Sequence, residues 1–304
     1  MVTIFATPKP FRGHSAIIQH NAINSWAMLR PTPQIILFGN EEGTADVAAE
    51  LNLTHVPAVE RSESGTPLVS SMFSLAQQLS SNPVLCYLNA DIMLTSQFIE
   101  ALRVVSTAQP RFMMTGRRTL LDVTEPWDFD QVDWEDKLRA RAASKGKLDG
   151  FVAMDYFAFP RGVYSDLPPF VVGRARWDNW MIYSARQRGI PVVEATGDVL
   201  AVHQNHDYSH LAGGEKECFV GPEGQRNQEL YGLQTCLGIL DSTHLLKNGR
   251  LLRALEWVYL SRRLDTVAVF HPALAPLGWT LRSARQLMKP LRQRLAWKSQ
   301  GDAS

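Results

Sequence analysis

Between residues 2 and 88, short apolar runs alternate with stretches of helical periodicity, and this alternation constrains the fold more than any other feature. VTIFA (2–6), QIILFG (34–39), residues 56–59 and residues 83–88 read as strands. Residues 14–29, 44–52 and 67–80 read as helices, the second with Thr44 as its N-cap. Strands that return through helices pair in parallel with right-handed crossovers. The predicted class is therefore α/β, a mostly parallel sheet flanked by helices, and 304 residues suffice for one large domain with an appendage. In such sheets ligands bind beyond the carboxyl ends of the strands. Those ends are Thr7-Pro8-Lys9 and residues 39–42, 60–66 and 89–91, all polar or glycine-bearing, which predicts one shared cleft.

Further along, 95–109 reads as a helix, 111–115 as a strand and 122–150 as a helix with a mobile loop. Residues 151–159 form a strand pattern with Asp155 in the middle. Residues 177–188 are helical and close at Gly189, and 191–194 and 199–203 are short strands. Beyond about residue 225 the pattern is helical, basic and leucine-rich. The expected organisation is a domain over 1–225, in halves 1–110 and 111–225, with a helical C-terminal extension over 226–304.

The run PVLCYLNADIML (83–94) is apolar except at Asn89 and Asp91. A polar group buried without a partner costs a few kcal/mol, so a carboxylate there either stands at a cleft or binds something positive. An acidic motif ending the fourth strand of a parallel sheet resembles the DxD motif of GT-A-type glycosyltransferases, a Rossmann-type mixed sheet. The resemblance implies that Asp91 ligates a divalent metal, Mn²⁺ or Mg²⁺, which bridges the diphosphate of a nucleotide-sugar. Asn89 stands where that family commonly has its first Asp, and the resemblance then gives it to the donor's ribose or sugar. The stretch ERSESGTPLVSSMFSLAQQL (60–79) resembles the segment covering the nucleotide, so the donor-binding candidates are Thr7, Glu41, Arg61, Gly65, Thr66, Asn89 and Asp91, with Arg117 or Arg118 for the diphosphate.

GRARWDNWMIYSARQRGIPVVEATGDVLAVHQNHDYSH (173–210) resembles the acceptor half of the same enzymes. By that resemblance Asp178 is the general base of an inverting transfer, Asp155, Trp177 and Asn179 contact the acceptor, and His203 joins Asp91 on the metal. His206 and His210 are the alternative histidines. Trp177 and Trp180 also fit a core at helical spacing. The resemblance covers roughly residues 2–210 and implies sugar transfer to a hydroxyl in glycan or glycolipid synthesis. Two rivals stand beside it. A sugar nucleotidyltransferase would carry more glycines after the first strand than TPKPFRG has, and a catalytically degenerate sugar-binding scaffold would suit Asn89.

The net charge is only +1, yet residues 247–298 carry eleven basic side chains against Glu256 and Asp265. Leucines at helical spacing beside Arg282, Arg285, Lys289 and Arg292 suggest an amphipathic helix over 279–298 that contacts an anionic membrane. No nucleic-acid motif is present. Cys86, Cys218 and Cys236 match no metal or disulfide pattern. With no signal-like leader and no long apolar span, the expected location is the cytosol, with peripheral membrane contact.

Overall fold

The computed structural model describes residues 1–206 and 216–274. His210 and the stretch 279–298 lie outside the described residues. Residues Met1–Arg253 pack as one compact unit and Ala254–Ser304 as a second.

The first unit begins β1 (Val2–Ala6), α1 (Gly13–Ala27), β2 (Gln34–Phe38), α2 (Thr44–Glu50), β3 (Thr54–Val56), α3 (Val69–Leu79), β4 (Val84–Leu88) and β5 (Ile92–Met93). It continues α4 (Gln97–Ala108), β6 (Met113–Thr115), β7 (Thr119–Leu121), α5 (Trp134–Lys145), β8 (Lys147–Leu148), β9 (Tyr156–Pro160), α6 (Trp177–Gln187), β10 (Val192–Glu194) and β11 (Val202–Gln204). It ends with α7 (Glu217–Val220), α8 (Pro222–Tyr231), β12 (His244–Lys247) and β13 (Arg250–Arg253). In the second unit the described structure is α9 (Trp257–Phe270) and one 3₁₀ turn. Among the described residues no helix is long and apolar enough to cross a membrane.

Nine strands form one sheet in the order β13-β12-β10-β6-β9-β4-β1-β2-β3. β9 runs antiparallel to β4 and β6, β13 runs antiparallel to β12, and the other pairings are parallel. This is the mixed, mostly parallel sheet with flanking helices expected from the sequence. Alternation along its central strands sorts the core into two faces. Ile4, Cys86 and Ala158 pack with Trp26 of α1, Val47 of α2 and Phe98 of α4. Phe5, Tyr87 and Phe159 point the other way, where Phe73 of α3 sits 4.9 Å from Phe5 and 5.5 Å from Phe159. A smaller sheet, β5-β11-β7-β8, lies beside the carboxyl end of β4.

Several expectations are corrected. Thr44 is the first helical residue of α2, with Gly43 at the N-cap, and its buried hydroxyl has no hydrogen-bond partner. The third strand is Thr54–Val56 rather than 56–59, because Pro57 has no N–H to give a ladder. β9 starts after Asp155, whose carboxylate is held by side chains at its own level rather than by a strand neighbour. The strand expected at 199–203 is β11, in the smaller sheet. The region beyond 225 contains a β-hairpin, β12–β13, in addition to helices. Asn248 and Gly249, at φ 52° and 68°, make the left-handed two-residue turn that Asn-Gly favours. The Asp198 carboxylate fixes that turn by accepting from both of its N–H groups, at 2.7 and 2.6 Å.

Candidate active site

β4 is buried along its whole length and delivers the chain to Asn89-Ala90-Asp91, a turn closed by Ile92 N–H donating to the Asn89 carbonyl at 3.1 Å. β5 then pairs antiparallel with β11, His203 opposite Ile92. That register places His203, and His206 just beyond, over Asp91. Asp91 Oδ2 lies 3.0 Å from His206 Nε2 and 3.9 Å from His203 Nε2. Asp91 Oδ1 and His203 Nδ1 are buried with no hydrogen-bond partner. Burial pushes the Asp91 carboxyl up, but the His203 and His206 imidazoles and the Lys9 ammonium outweigh it and hold the group well below the usual carboxylate range.

Ligating atoms of Asp91, His203 and His206 all lie within 4.8 Å of one another. One carboxylate and two imidazoles, with a buried oxygen of Asp91 and a buried ring nitrogen of His203 unpartnered, fit a divalent first-row cation. His206, an alternative in the sequence reading, is the histidine nearest Asp91.

A buried amide network pins this turn from below. Gln204 Nε2 donates to the Ile18 carbonyl (2.7 Å) and the Asp91 carbonyl (3.2 Å), while its Oε1 accepts from Asn21 Nδ2 (3.0 Å). Gln204→Ala removes a donor from the Ile18 carbonyl, while the Asp91 carbonyl keeps the residue-204 N–H and Asn21 Nδ2 keeps the Glu125 carbonyl. A buried group left unsatisfied costs about 1–3 kcal/mol. The expected result is a loss of about 2–3 kcal/mol, seen as a lower urea midpoint at unchanged slope.

The carboxyl ends of β1, β2 and β3 assemble a second cluster. Arg61 donates to Glu41 Oε1 (3.0 Å), Asn40 Oδ1 (3.0 Å) and the Gly65 carbonyl (2.8 Å). Gly39 sits at φ 95°, and a Cβ there would collide with Glu41 Oε2 and meet Thr7 Oγ1 at 3.4 Å. Thr7, Glu41, Arg61 and Gly65 are therefore brought together as expected. Glu41 Oε2 is buried and unpartnered.

Other candidates are placed differently. Asn89 Nδ2 donates to Asp155 Oδ1 at 2.7 Å, so its amide serves Asp155. Arg118 donates to Asp155 Oδ2 at 2.9 Å and to Asp149 at 2.8 Å, so each Asp155 oxygen already has a partner. Arg117 stacks 4.2 Å from the Phe151 ring centre and donates to the Asp149 carbonyl, which removes it from a diphosphate role. The basic group whose charge bears on Asp91 is Lys9. Trp177 is buried against Tyr87 (4.9 Å) and Phe157 (5.3 Å), as core. Asn179 is buried and donates to the Leu237 carbonyl at 2.6 Å. Neither is positioned to touch an acceptor.

Thr66 turns toward α8, where Glu223 Oε2 accepts from its hydroxyl at 3.1 Å and Glu223 Oε1 accepts from Ser62 at 2.5 Å. Glu223 also pairs with Arg174 at 2.7 Å, both side chains largely buried. Glu223 thus ties the 62–66 loop to the chain entering α6, a link between residues 161 positions apart that periodicity cannot show. Arg176 precedes α6 at φ 86°, a left-handed conformation costing a non-glycine residue about 1–2 kcal/mol. Asp178 follows in the first turn, half-buried, with Oδ1 accepting from the Asn179 N–H at 2.8 Å. Burial raises its carboxyl to about 6; the Asn179 N–H opposes, the Asp155 charge adds, and the Arg176 charge opposes.

No family model matches the chain, and no curated protein matches it. Among solved structures it is similar to residues 1–349 of S. aureus TarS, with 7% identity and a TM-score of 0.40 over 67% of this chain and 58% of that one. The chain therefore spans under two thirds of that fragment's length. It is also similar to glucosyl-3-phosphoglycerate synthase from Mycobacterium tuberculosis, with 13% identity and a TM-score of 0.47 over 77% and 82% of the two chains. Both likenesses are remote.

Proposed function

We propose that this protein transfers a sugar from a nucleotide-diphosphate donor to a hydroxyl acceptor, with a divalent cation held by Asp91, His203 and His206, for which the two imidazoles favour Mn²⁺ over Mg²⁺. The observation that carries the reading is the convergence of Asp91 and two imidazoles at the carboxyl end of β4, with a buried oxygen of Asp91 and a buried ring nitrogen of His203 left unpartnered. A cation bound there neutralises charge that builds on the leaving diphosphate.

The chain's own groups supply the rest. Glu41 Oε2 is a buried acceptor suited to a ribose hydroxyl or base N–H, and Arg61 holds that carboxylate in place. Lys9 adds positive charge on the diphosphate side. Asp178 is the base that takes the acceptor hydroxyl's proton, which corresponds to inversion at the anomeric carbon. Asn89, locked onto Asp155, favours a second reading in which the chain binds donors without turning them over.

Melting the protein with UDP-, GDP-, CMP- and dTDP-sugars, with and without Mn²⁺, tests donor binding. A donor at a hundred times its dissociation constant stabilises the fold by about 2.7 kcal/mol. For a chain of this size the expected rise is about 5–10 °C, dependent on Mn²⁺. No shift with any donor defeats both readings; a shift without nucleotide release leaves the binding one.

A further inference from the structure

The cluster around Glu41 and the helix that carries Asp178 come from distant parts of the chain, and one short helix is bonded to both. On the first side, residues 61–67 close into a small loop. Ser62 N–H donates to the Thr66 carbonyl at 2.8 Å, Thr66 N–H donates to Ser62 Oγ at 3.2 Å, and Arg61 at the foot of the loop holds Glu41. On the second side, residues 171–176 lead into α6 and Asp178. The two sides meet edge to edge: Leu68 is bridged to Val171, and Val172 N–H donates to the Pro67 carbonyl at 3.1 Å.

α8 grips both sides of this junction through two polar residues, Glu223 and Asn227, four apart and so on one helical face. Each Glu223 oxygen claims a hydroxyl of the 61–67 loop: Oε1 accepts from Ser62 at 2.5 Å and Oε2 from Thr66 at 3.1 Å. Oε2 also pairs with Arg174 at 2.7 Å. Asn227 is fully buried; its Oδ1 accepts from Val171 N–H at 2.9 Å, and its Nδ2 donates to the carbonyls of Val171 and Ala175 at 3.0 and 3.1 Å. Stability alone does not account for this choice of residues. A buried ion pair is often no more stabilising than apolar side chains of similar volume. What the carboxylate and amide add is direction, because each atom accepts or donates only along fixed lines and so holds the two segments in a single register.

We infer that α8 is a strap coupling the nucleotide end of the site to the helix that carries Asp178, with Glu223 and Asn227 as its positioning residues. A nucleotide seated against Glu41 restricts Arg61 and its loop. Through Ser62, Thr66 and Glu223 that order reaches Arg174 and the lead into α6. Donor binding thereby orders Asp178 before an acceptor arrives. A segment ordered by the first ligand need not be ordered again by the second, which couples the two without a large movement. The roles of Glu41 and Asp178 rest on the sugar-transfer reading; the strap itself rests on the bonds of α8.

Hydrogen exchange of the full chain, read by mass spectrometry with UDP, GDP, CMP and dTDP in turn and Mn²⁺ present, tests the strap. In wild type the bound nucleotide should slow exchange at 61–67 and also at 171–178. In Glu223→Gln, which keeps the shape and loses the charge, the slowing at 61–67 should remain and that at 171–178 should vanish. Nucleoside diphosphate release from the best donor should then show kcat lower by about 10–100-fold, from a displaced Asp178, with donor KM within about threefold of wild type. A glutamate that only held the fold together would lower the melting temperature without that split. Slowing confined to 61–67 in wild type, or reaching 171–178 equally in both proteins, overturns the inference.

If none of the four nucleotides slows exchange, the donor reading is what fails, and the strap is decided without ligand. Thr66→Val and Glu223→Gln should each speed exchange at 171–176 at least about tenfold, since either removes a hydrogen bond to a charged group. The double variant should exchange no faster than Glu223→Gln alone, because both changes act through one carboxylate. Unchanged exchange at 171–176 in Thr66→Val, or additive effects in the double variant, refutes the strap.

Discussion

Asp91→Asn should lower nucleoside diphosphate release by about 10³-fold while the protein stays folded. A cation at a leaving diphosphate is worth several kcal/mol of transition-state stabilisation, and each 1.36 kcal/mol is tenfold in rate. Asn keeps the size of the side chain and can still accept from His206, but it loses the charge that pairs with a cation. The fold's own stake in the carboxylate has a defined sign. Its folded titration is depressed, so it adds stability above the unfolded range near 3.8 that disappears as pH falls through the lower folded value. Melting at pH 7.5 should therefore show Asp91→Asn folded and somewhat less stable. Full turnover in the variant would mean that the reaction does not pass through this carboxylate.

The second large effect belongs to Asp178. Asp178→Asn should cost about 10²–10⁴-fold in kcat, the usual range for general-base catalysis, with donor affinity retained. A base works when deprotonated, and burial raises this carboxyl to about 6. Wild-type kcat should fall as pH drops through about 6, rather than holding to the ordinary carboxylate value near 4. Stability runs the opposite way. With a folded pKa above the unfolded one, protonated Asp178 stabilises the fold at low pH, and that contribution is lost as pH rises through about 6. Asp178→Asn should therefore melt higher than wild type at pH 8 while turning over slowly. A variant with normal kcat would assign the proton to another group or indicate retention of configuration.

Much of this site can be read from the chain because its information is local. Four apolar runs alternating with helices dictate a mostly parallel sheet, and the sheet dictates where its loops converge. Thr7, Glu41, Arg61, Gly65 and Asp91 follow from position alone. Side chains whose partners are distant in sequence are not legible in that way. Asn89 matches a ligand position, but the residue that claims its amide is 66 positions away. Arg117 and Arg118 are adjacent and look interchangeable, yet one lies on Phe151 and the other joins Asp149 to Asp155. Trp177 opens a helix next to Asp178, and only packing against Tyr87 and Phe157 reveals it as core. The β12–β13 hairpin is different: its Asn248-Gly249 signal is plain, but leucines on both sides of it give a helical reading of the same residues. His206 belongs beside Asp91 because β11 pairs with β5, a register that strands of three and two residues do not announce.

Titrating Mn²⁺ into the protein with UDP present, and following free Mn²⁺ by electron paramagnetic resonance, probes the three-residue site itself. The account predicts one bound Mn²⁺ per chain in wild type, weakened at least about tenfold in His203→Ala and His206→Ala and abolished in Asp91→Asn. Binding of equal strength in all four proteins, or none in wild type, would contradict it.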